Sequence, residues 1–423
     1  MSLSLGIDVG TGGVRTAVVD ECGTVLSMAR STHAPQRSDR IDAEMWWHTV
    51  ETCILRQVSA LEGCGYAGGE ISRIAVDGTS GSMVLCDVAL RPVVRALMYD
   101  SGGFEAEAAE IDRHAPPSHI ARGPNSALAR ATRLVAEDMD GLACHLLHQS
   151  DFIAARLIGS GGHSDRNNSL KTGLDPVTGR WPDWIGEVID AALLPVAHAV
   201  GTPISEVGPD VARRLGLAPN AVVCAGTTDS IAAFLAAAPP ETGTAVTSLG
   251  STLAIKMLVR ERIDDPAIGL YSHRLGNAWL VGGASNSGGA VLARFFSSED
   301  IARLSDRIDP TVPSGLDYYP LIRAGERFPV NDPDLAPRVS PRPADDVTFL
   351  QGLLEGMARI EARCYREIEK RGGGFPDTIR SAGGGAGNPA FTEIRARALG
   401  VSPICAKDVE AAVGVARVAA GMP

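Results

Sequence analysis

Five short segments put carboxylates, hydroxyls and bare backbone where chemistry can be done. Asp229 stands in Gly226-Thr227-Thr228-Asp229-Ser230, after one apolar run and at the head of another. A carboxylate exposed in the first turn of a helix, at a sheet edge, can take the proton of an attacking hydroxyl. The same residues also suit an ordinary helix cap. Asp8 precedes Gly10-Thr11-Gly12-Gly13. A Gly-rich hairpin corner points successive N–H groups into a concavity that can hold a phosphate. The nearby carboxylate can hold a divalent cation, directly or through water. A plain corner capped by its Asp would have this composition too. Leu249-Gly250-Ser251-Thr252 offers a second turn of phosphate size. In Ala382-Gly383-Gly384-Gly385-Ala386-Gly387-Asn388 the missing side chains leave backbone on which a flat heterocycle and its ribose can lie, although helix caps and linkers look similar. Asp77-Gly78-Thr79-Ser80-Gly81 closes an apolar run with a polar end, where Ser80, Gly81 and backbone groups can meet hydroxyl groups of a ligand or simply make a turn.

The elements that must position these residues alternate in type. Leu3 to Val9 reads as a buried strand, Val14 to Val19 as its antiparallel neighbour, and Val25 to Ala29 as a third strand. Residues 43–61 read as a helix, with Trp47, Val50, Ile54, Val58 and Leu61 at spacings of three and four. Ile71 to Val76 and Met83 to Cys86 are strands, and residues 100–220 read as helical with irregular connections. Ala221 to Ala225 is a strand that delivers Asp229 to a helix. Pro239-Pro240-Glu241-Thr242-Gly243 marks a domain boundary. Beyond it the opening returns: strand Thr244 to Leu249, turn, strand Leu253 to Leu258, with Gly250 opposite Gly10. A long helix spans 346–371, and the last Gly-rich turn follows a short strand. Strands alternating with helices indicate α/β domains with covered sheet faces. The repeated opening implies two duplicated halves facing across a cleft.

Composition narrows the partners. At 423 residues the chain fits two domains of roughly 200 residues better than one core. A net charge of −11 argues against nucleic acid and anionic membranes. Phosphates must then be met by backbone N–H groups and a metal rather than by an arginine cluster. The eight cysteines form no CxxC pair and suit free thiols in a reducing cytoplasm. No segment is long and apolar enough to span a bilayer, and an apolar strand within three residues of the start leaves no room for a signal peptide, so a cytoplasmic location is expected.

Taken together, the order of motifs resembles the FGGY carbohydrate kinases, within the larger actin and hexokinase-like group, over essentially the whole chain. GIDVGTGGVRTAVVD resembles the family's first phosphate motif, AGTTDSIAAFLA its catalytic-Asp segment, VTSLGST the second phosphate motif and SAGGGAGN the adenosine motif. Residues 315–329 and 349–368 resemble its carboxyl-half signature. The branch that phosphorylates D-ribulose is the nearest in DGTSG, QSDF (149–152), NNSLKTGLDP (167–176) and SGLDYYP. The Met-His pair usual in D-xylulose kinases is absent after the strand ending in DGTSG. Arg130 stands where many members have Lys, and Gly387 replaces a basic or polar residue after GGGA.

The resemblance implies two ribonuclease-H-like α/β domains of the actin and hexokinase type facing across a deep cleft. Residues 1–238 would bind sugar and catalyse; residues 239–423 would bind nucleotide, with the last helix, about 408–421, able to pack back on the first domain. It implies Asp229 as catalytic base, and Asp8, Ser80, Gly81 and Asp229 at the sugar. ATP would meet Thr11, Gly12, Gly13, Gly250, Ser251, Thr252, Gly383, Gly384, Gly385, Ala386 and Asn388. Asp8 and Asp229 would hold Mg²⁺. The partners implied are a small sugar and MgATP, in a monomer or homodimer. The reaction implied moves the γ-phosphoryl group to the terminal hydroxyl of a ketopentose, most simply D-ribulose; D-xylulose or another pentulose or polyol are the rival acceptors. A non-catalytic actin-like nucleotide-binding protein or sugar sensor is the rival of a different class.

Overall fold

The computed structural model describes residues 2–35, 40–117 and 119–422. The chain divides into two compact units, Met1–Ala236 with Glu410–Pro423, and Ala237–Val409.

In the first unit Leu3–Val9 (β1), Gly13–Val19 (β2) and Val25–Thr32 (β3) form an antiparallel meander. Ile71–Gly78 (β4) runs parallel beside β1, and Val222–Thr228 (β6) parallel beside β4, with Pro203–Glu206 (β5) antiparallel at the edge. The sheet order is thus β5-β6-β4-β1-β2-β3. All of β1 is buried, as a central strand covered on both faces must be. Helix α1, Glu44–Glu62, packs on β2 and β3 and buries Trp46, Trp47, Val50 and Ile54. The last helix, Ala411–Ala419, packs on β1, β2 and β4 with Val413, Val415 and Val418 buried. Its Arg417 donates to the carbonyl of Ala236 at 2.8 Å and so serves an open carbonyl at the end of helix α5, Asp229–Ala237.

The middle of the chain differs from the expectation of a helical region. It holds helices α2 (Ala127–Glu137), α3 (Gln149–Ile158) and α4 (Arg166–Thr172). It also contributes short strands: Ala96–Leu97 and His145–His148 to a four-stranded sheet with Arg40–Ile41 and Met83–Cys86, and His163–Asp165 paired with Val196–His198. Strands of two to four residues are too short to print an alternating pattern, so sequence periodicity passes over them.

The second unit repeats the opening. Thr244–Leu249 (β7) and Leu253–Val259 (β8) form a hairpin, and Thr378–Ala382 (β11) runs parallel to β7 as β4 does to β1. Tyr271–Leu275 (β9) and Ala278–Ser285 (β10), unanticipated from sequence, extend the other edge, and Ile404–Cys405 (β12) ends the order β9-β10-β8-β7-β11-β12. Helix α7, Asp346–Ile368, supplies the centre of this core through Phe349, Leu350, Leu353, Met357, Ile360 and Tyr365. Helices α6 (Ser298–Ser305) and α8 (Pro389–Leu399) pack against it.

Candidate functional site

The parallel register of the first unit sets Asp8 of β1, Asp77 of β4 and Thr227 of β6 side by side, on the same face of three adjacent strands. Asp8 and Asp77 are both buried. Burial pushes both carboxyls up, and Asp77 far more, because the charges of Asp8 and Asp229 lie close to it. Among the described residues neither oxygen of Asp77 meets a donor. A carboxyl that keeps its proton and shares it with Asp8 avoids two like charges in one buried site. Asp77 was read from sequence only as part of a turn; the strand register sets it directly beside Asp8.

Arg15, opposite Asp8 on β2, places Nη1 3.2 Å from Asp8 Oδ2 and Nε 3.2 Å from Glu410 Oε2. The Arg15 guanidinium opposes the upward push on Asp8. Arg15 therefore sets a cation beside the turn for which only backbone donors and a metal had been expected. In that turn Gly10 N–H donates to Gly13 O at 2.9 Å, while the N–H groups of Thr11 and Gly12 meet no acceptor among the described residues. Thr11 and Gly12 are exposed. Gly13 has a further reason to lack a side chain: a Cβ there would lie 2.3 Å from Ser31 O of β3.

Asp229 opens helix α5 directly after β6, with its Oδ1 accepting from Ser230 N–H at 2.6 Å. The DGTSG turn is held from two sides. Gln149 Oε1 accepts from Thr79 N–H at 2.9 Å and Thr79 Oγ1 at 2.7 Å. Arg130 Nε donates to Gly81 O at 2.8 Å, and burial lowers that guanidinium to about 10. Arg130 therefore braces the turn. Ser80 Oγ is buried and meets no partner among the described residues.

A polar layer from α3 and α4 backs these groups. Asp165 caps α4, accepting from Asn167 N–H at 2.8 Å, Asn168 N–H at 3.0 Å and Asn168 Nδ2 at 2.7 Å. Asn167 Nδ2 donates to Thr227 Oγ1 at 3.2 Å. Gln149 Nε2, Asn167 Oδ1, Ser169 Oγ and His148 Nδ1 have no partner among the described residues. None of these four was singled out as a site residue from sequence. The available signal was the dense run of polar residues in QSDF and NNSLKT beside apolar helix positions.

In the second unit a cavity of about 810 Å³ is lined by Gly250, Ser251, Gly384, Gly385 and Asn388 of the expected set. Thr252, Gly383 and Ala386 are not among its lining residues. Gly383 answers to a different demand: its φ is +85°, and a Cβ would meet Leu249 O at 2.8 Å, so close packing on β7 requires glycine. Asn388 caps α8 by accepting from Phe391 N–H at 3.0 Å and donates to Ser305 Oγ at 2.8 Å. Gly288 and Gly289, Ser305 and Asp306, Met357 and Phe391 also line it. Sequence reading missed them because they come from separate segments that only the fold assembles. The Gly288-Gly289 turn docks on the β7–β8 corner, with Gly289 N–H to Gly250 O at 2.8 Å and Ala290 N–H to Ser251 O at 3.1 Å.

Among the described residues no helix is long and apolar enough to cross a membrane. The chain is 23% identical over 292 residues to the xylulose kinase of Escherichia coli, covering 65% of this chain and 58% of that protein. It is 22% identical over 369 residues to the gluconokinase of Bacillus subtilis, covering 79% of this chain and 70% of that protein. The crystal structure of xylulose kinase from Rhodospirillum rubrum superimposes with a TM-score of 0.84 at 21% identity, covering 99% of this chain and 89% of that one. The fold is therefore the α/β fold of two actin and hexokinase-like domains. Residues 246–422 match the FGGY family of carbohydrate kinases, C-terminal domain.

Proposed function

We propose that this protein transfers the γ-phosphoryl group of MgATP to the terminal hydroxyl of a ketopentose, D-ribulose in preference to D-xylulose. The observation that carries the reading is the concentration of buried, unmet hydrogen-bonding atoms in the first unit around Asp8, Asp77 and Ser80, near Asp229. Buried polar atoms are ordinarily paired, and a polyhydroxyl ligand supplies donors and acceptors in the numbers needed. The 810 Å³ cavity of the second unit, flanked by glycines, suits a nucleoside.

Asp229 orients the hydroxyl and takes its proton, late in a loose transition state where positioning and charge matter more than basicity. Thr11 and Gly12, whose N–H groups meet no acceptor among the described residues, offer them to phosphate oxygens, and Ser251 and Thr252 stand at the matching corner of the second unit. Asp8 and Asp229 would hold the cation, directly or through water; among the described residues no group of three carboxylates, histidines or cysteines stands close enough to form a metal site without the substrate phosphates. Mg²⁺ characteristically binds through one or two carboxylates and the substrate phosphates, whose charge it neutralises. Ser80 discriminates between pentuloses that differ in configuration at C3, because its hydroxyl both donates and accepts. The named relatives act on xylulose and gluconate, and they favour D-xylulose or another polyol as the second reading.

The test is ADP release coupled to a panel of pentuloses, polyols and gluconate, with wild type and Asp229→Asn. D-ribulose should give the highest kcat/KM, and the variant should lose roughly 10²–10⁴-fold in kcat while staying folded. A higher value for D-xylulose removes the substrate assignment; a variant as fast as wild type removes Asp229 as the base.

A further inference from the structure

His33 follows β3 and reaches back to the corner between β1 and β2 with both its backbone and its ring. Its N–H donates to Gly12 O at 3.1 Å. Its Nε2 lies 3.0 Å from Gly10 O, and since a carbonyl only accepts, Nε2 carries the proton and donates. On the far side Nδ1 lies 3.0 Å from Thr49 Oγ1 of α1, which donates to Met45 O at 2.8 Å. The hydroxyl proton is directed at Met45 O, so the Nε2–H tautomer follows from the Gly10 carbonyl, and Thr49 bounds the ring on its other side. Burial lowers the imidazole from its ordinary range, opposed by the Gly10 carbonyl, which agrees with a neutral ring.

The consequence lies in the peptide plane. In a trans peptide the carbonyl and the following N–H point to opposite sides. Gly10 O is drawn toward His33, so the Thr11 N–H is turned away from it, and that N–H has no acceptor among the described residues. We infer that His33 is a positioning residue of the phosphate turn: its imidazole, bounded by Thr49, holds the Gly10–Thr11 plane so that the Thr11 N–H faces the phosphoryl group. The inference rests on reading this turn as a phosphate cradle. It adds a residue from outside every glycine-rich motif of the sequence.

Substituting His33 removes the ring contact to Gly10 and leaves the backbone contact to Gly12, so a single plane is released. His33→Leu should lower kcat/KM for MgATP about tenfold or more, somewhat less than deletion of an oxyanion donor, with KM for the sugar within twofold. His33→Gln, whose amide N–H₂ can reach Gly10 O, should recover most of the loss. The second readout is hydrogen exchange at the Gly10 amide, which is hydrogen-bonded to Gly13 O within the turn, in the full chain without ligands. It should quicken about tenfold in His33→Leu and return toward wild type in His33→Gln. Unchanged exchange in His33→Leu overturns the inference, as does an equal loss of activity and melting temperature in both variants. If wild type phosphorylates no acceptor of the panel, the kinase reading fails, whereas the exchange result still decides whether His33 sets the turn.

Discussion

Two buried polar clusters, one in each unit, use the same kinds of residue to opposite ends. In the second unit Glu361 and Arg395 are both completely buried and face each other across two bonds, Nε to Oε2 at 2.6 Å and Nη2 to Oε1 at 2.7 Å. Arg395 Nη1 reaches Ser381 Oγ of β11 at 2.7 Å. Thr247 Oγ1 of β7 donates to Glu361 Oε1 at 2.6 Å, and Tyr365 Oη lies 2.8 Å from the same hydroxyl. The cluster closes on itself, with a cation for its anion. The first unit buries Asp8, Asp77, Asp151 and Asp165 with Gln149, Asn167 and Ser169. Its carboxyls push one another's protonation up, and several of its atoms meet nothing in the protein among the described residues. A closed cluster ties strands to helices; an open one holds hydrogen-bonding capacity in reserve for a ligand.

The contrast breaks most visibly at Glu361. Glu361→Gln removes half of a buried ion pair and leaves the guanidinium uncompensated, at a cost of about 3–5 kcal/mol. Urea unfolding followed at Trp279, the only tryptophan between residues 237 and 409, reads this directly. Glu361→Leu combined with Arg395→Met should restore most of that stability, because removing both charges leaves nothing unpaired. A single variant within 1 kcal/mol of wild type would mean that the cluster is not the closed unit its distances describe.

Ser80→Ala makes the opposite experiment in the open cluster. The hydroxyl has no partner among the described residues to lose, so stability should stay within about 0.5 kcal/mol of wild type or rise. Activity should separate from stability: kcat/KM for D-ribulose falls about ten- to a hundredfold, as expected for one buried hydrogen bond of ~1–3 kcal/mol. Turnover of D-xylulose should fall less. A variant that loses stability and both activities together would put Ser80 with the structural residues.

The chain reads unevenly from sequence, and the same contrast explains why. Strands β1, β2, β4, β7 and β8 lie where apolar runs place them, since a central strand covered on both faces needs an unbroken run. The long helix foreseen over 346–371 ends as an α-helix at Ile368, with a π-turn over Glu369–Gly373 that closes on a positive φ of 90° at Gly372. Local motifs give Asp8, Asp229 and the two glycine corners, because a turn and the residues it exposes are neighbours in sequence. Asp77 as partner of Asp8, Arg15 beside it, and Gly288, Asp306 and Phe391 around the cavity depend on strand register or on segments far apart in the chain. Spacing along the chain carries none of that. Gly13 and Gly383 show a related limit: composition marks them as open backbone, whereas each is pressed against a neighbouring strand.

The smallest effect tests what the open cluster costs at neutral pH. Asp151 sits behind the site in the first turn of α3, where its Oδ2 accepts from His148 N–H at 3.1 Å. Burial pushes its carboxyl well above the ordinary range, and the charge of Asp165, itself pushed to about 6, adds to the shift. A carboxyl with a raised folded-state pKa binds its proton more tightly in the native chain than in the unfolded one. Its contribution to stability is therefore complete below about pH 4, the unfolded-state range, and is lost as pH rises through the folded-state value. Asp151→Asn keeps an acceptor for His148 N–H and removes the titration. Stability measured by urea at pH 5, 6, 7 and 8 should fall less steeply in the variant than in wild type, with the two curves separating as pH rises and the variant ahead by ~0.5–2 kcal/mol at pH 8. The difference curve reports Asp151 together with its coupling to Asp165. Parallel curves would show that its proton is held no more tightly by the folded chain than by the unfolded one, and the open cluster would then stand at neutral pH without cost from this carboxyl.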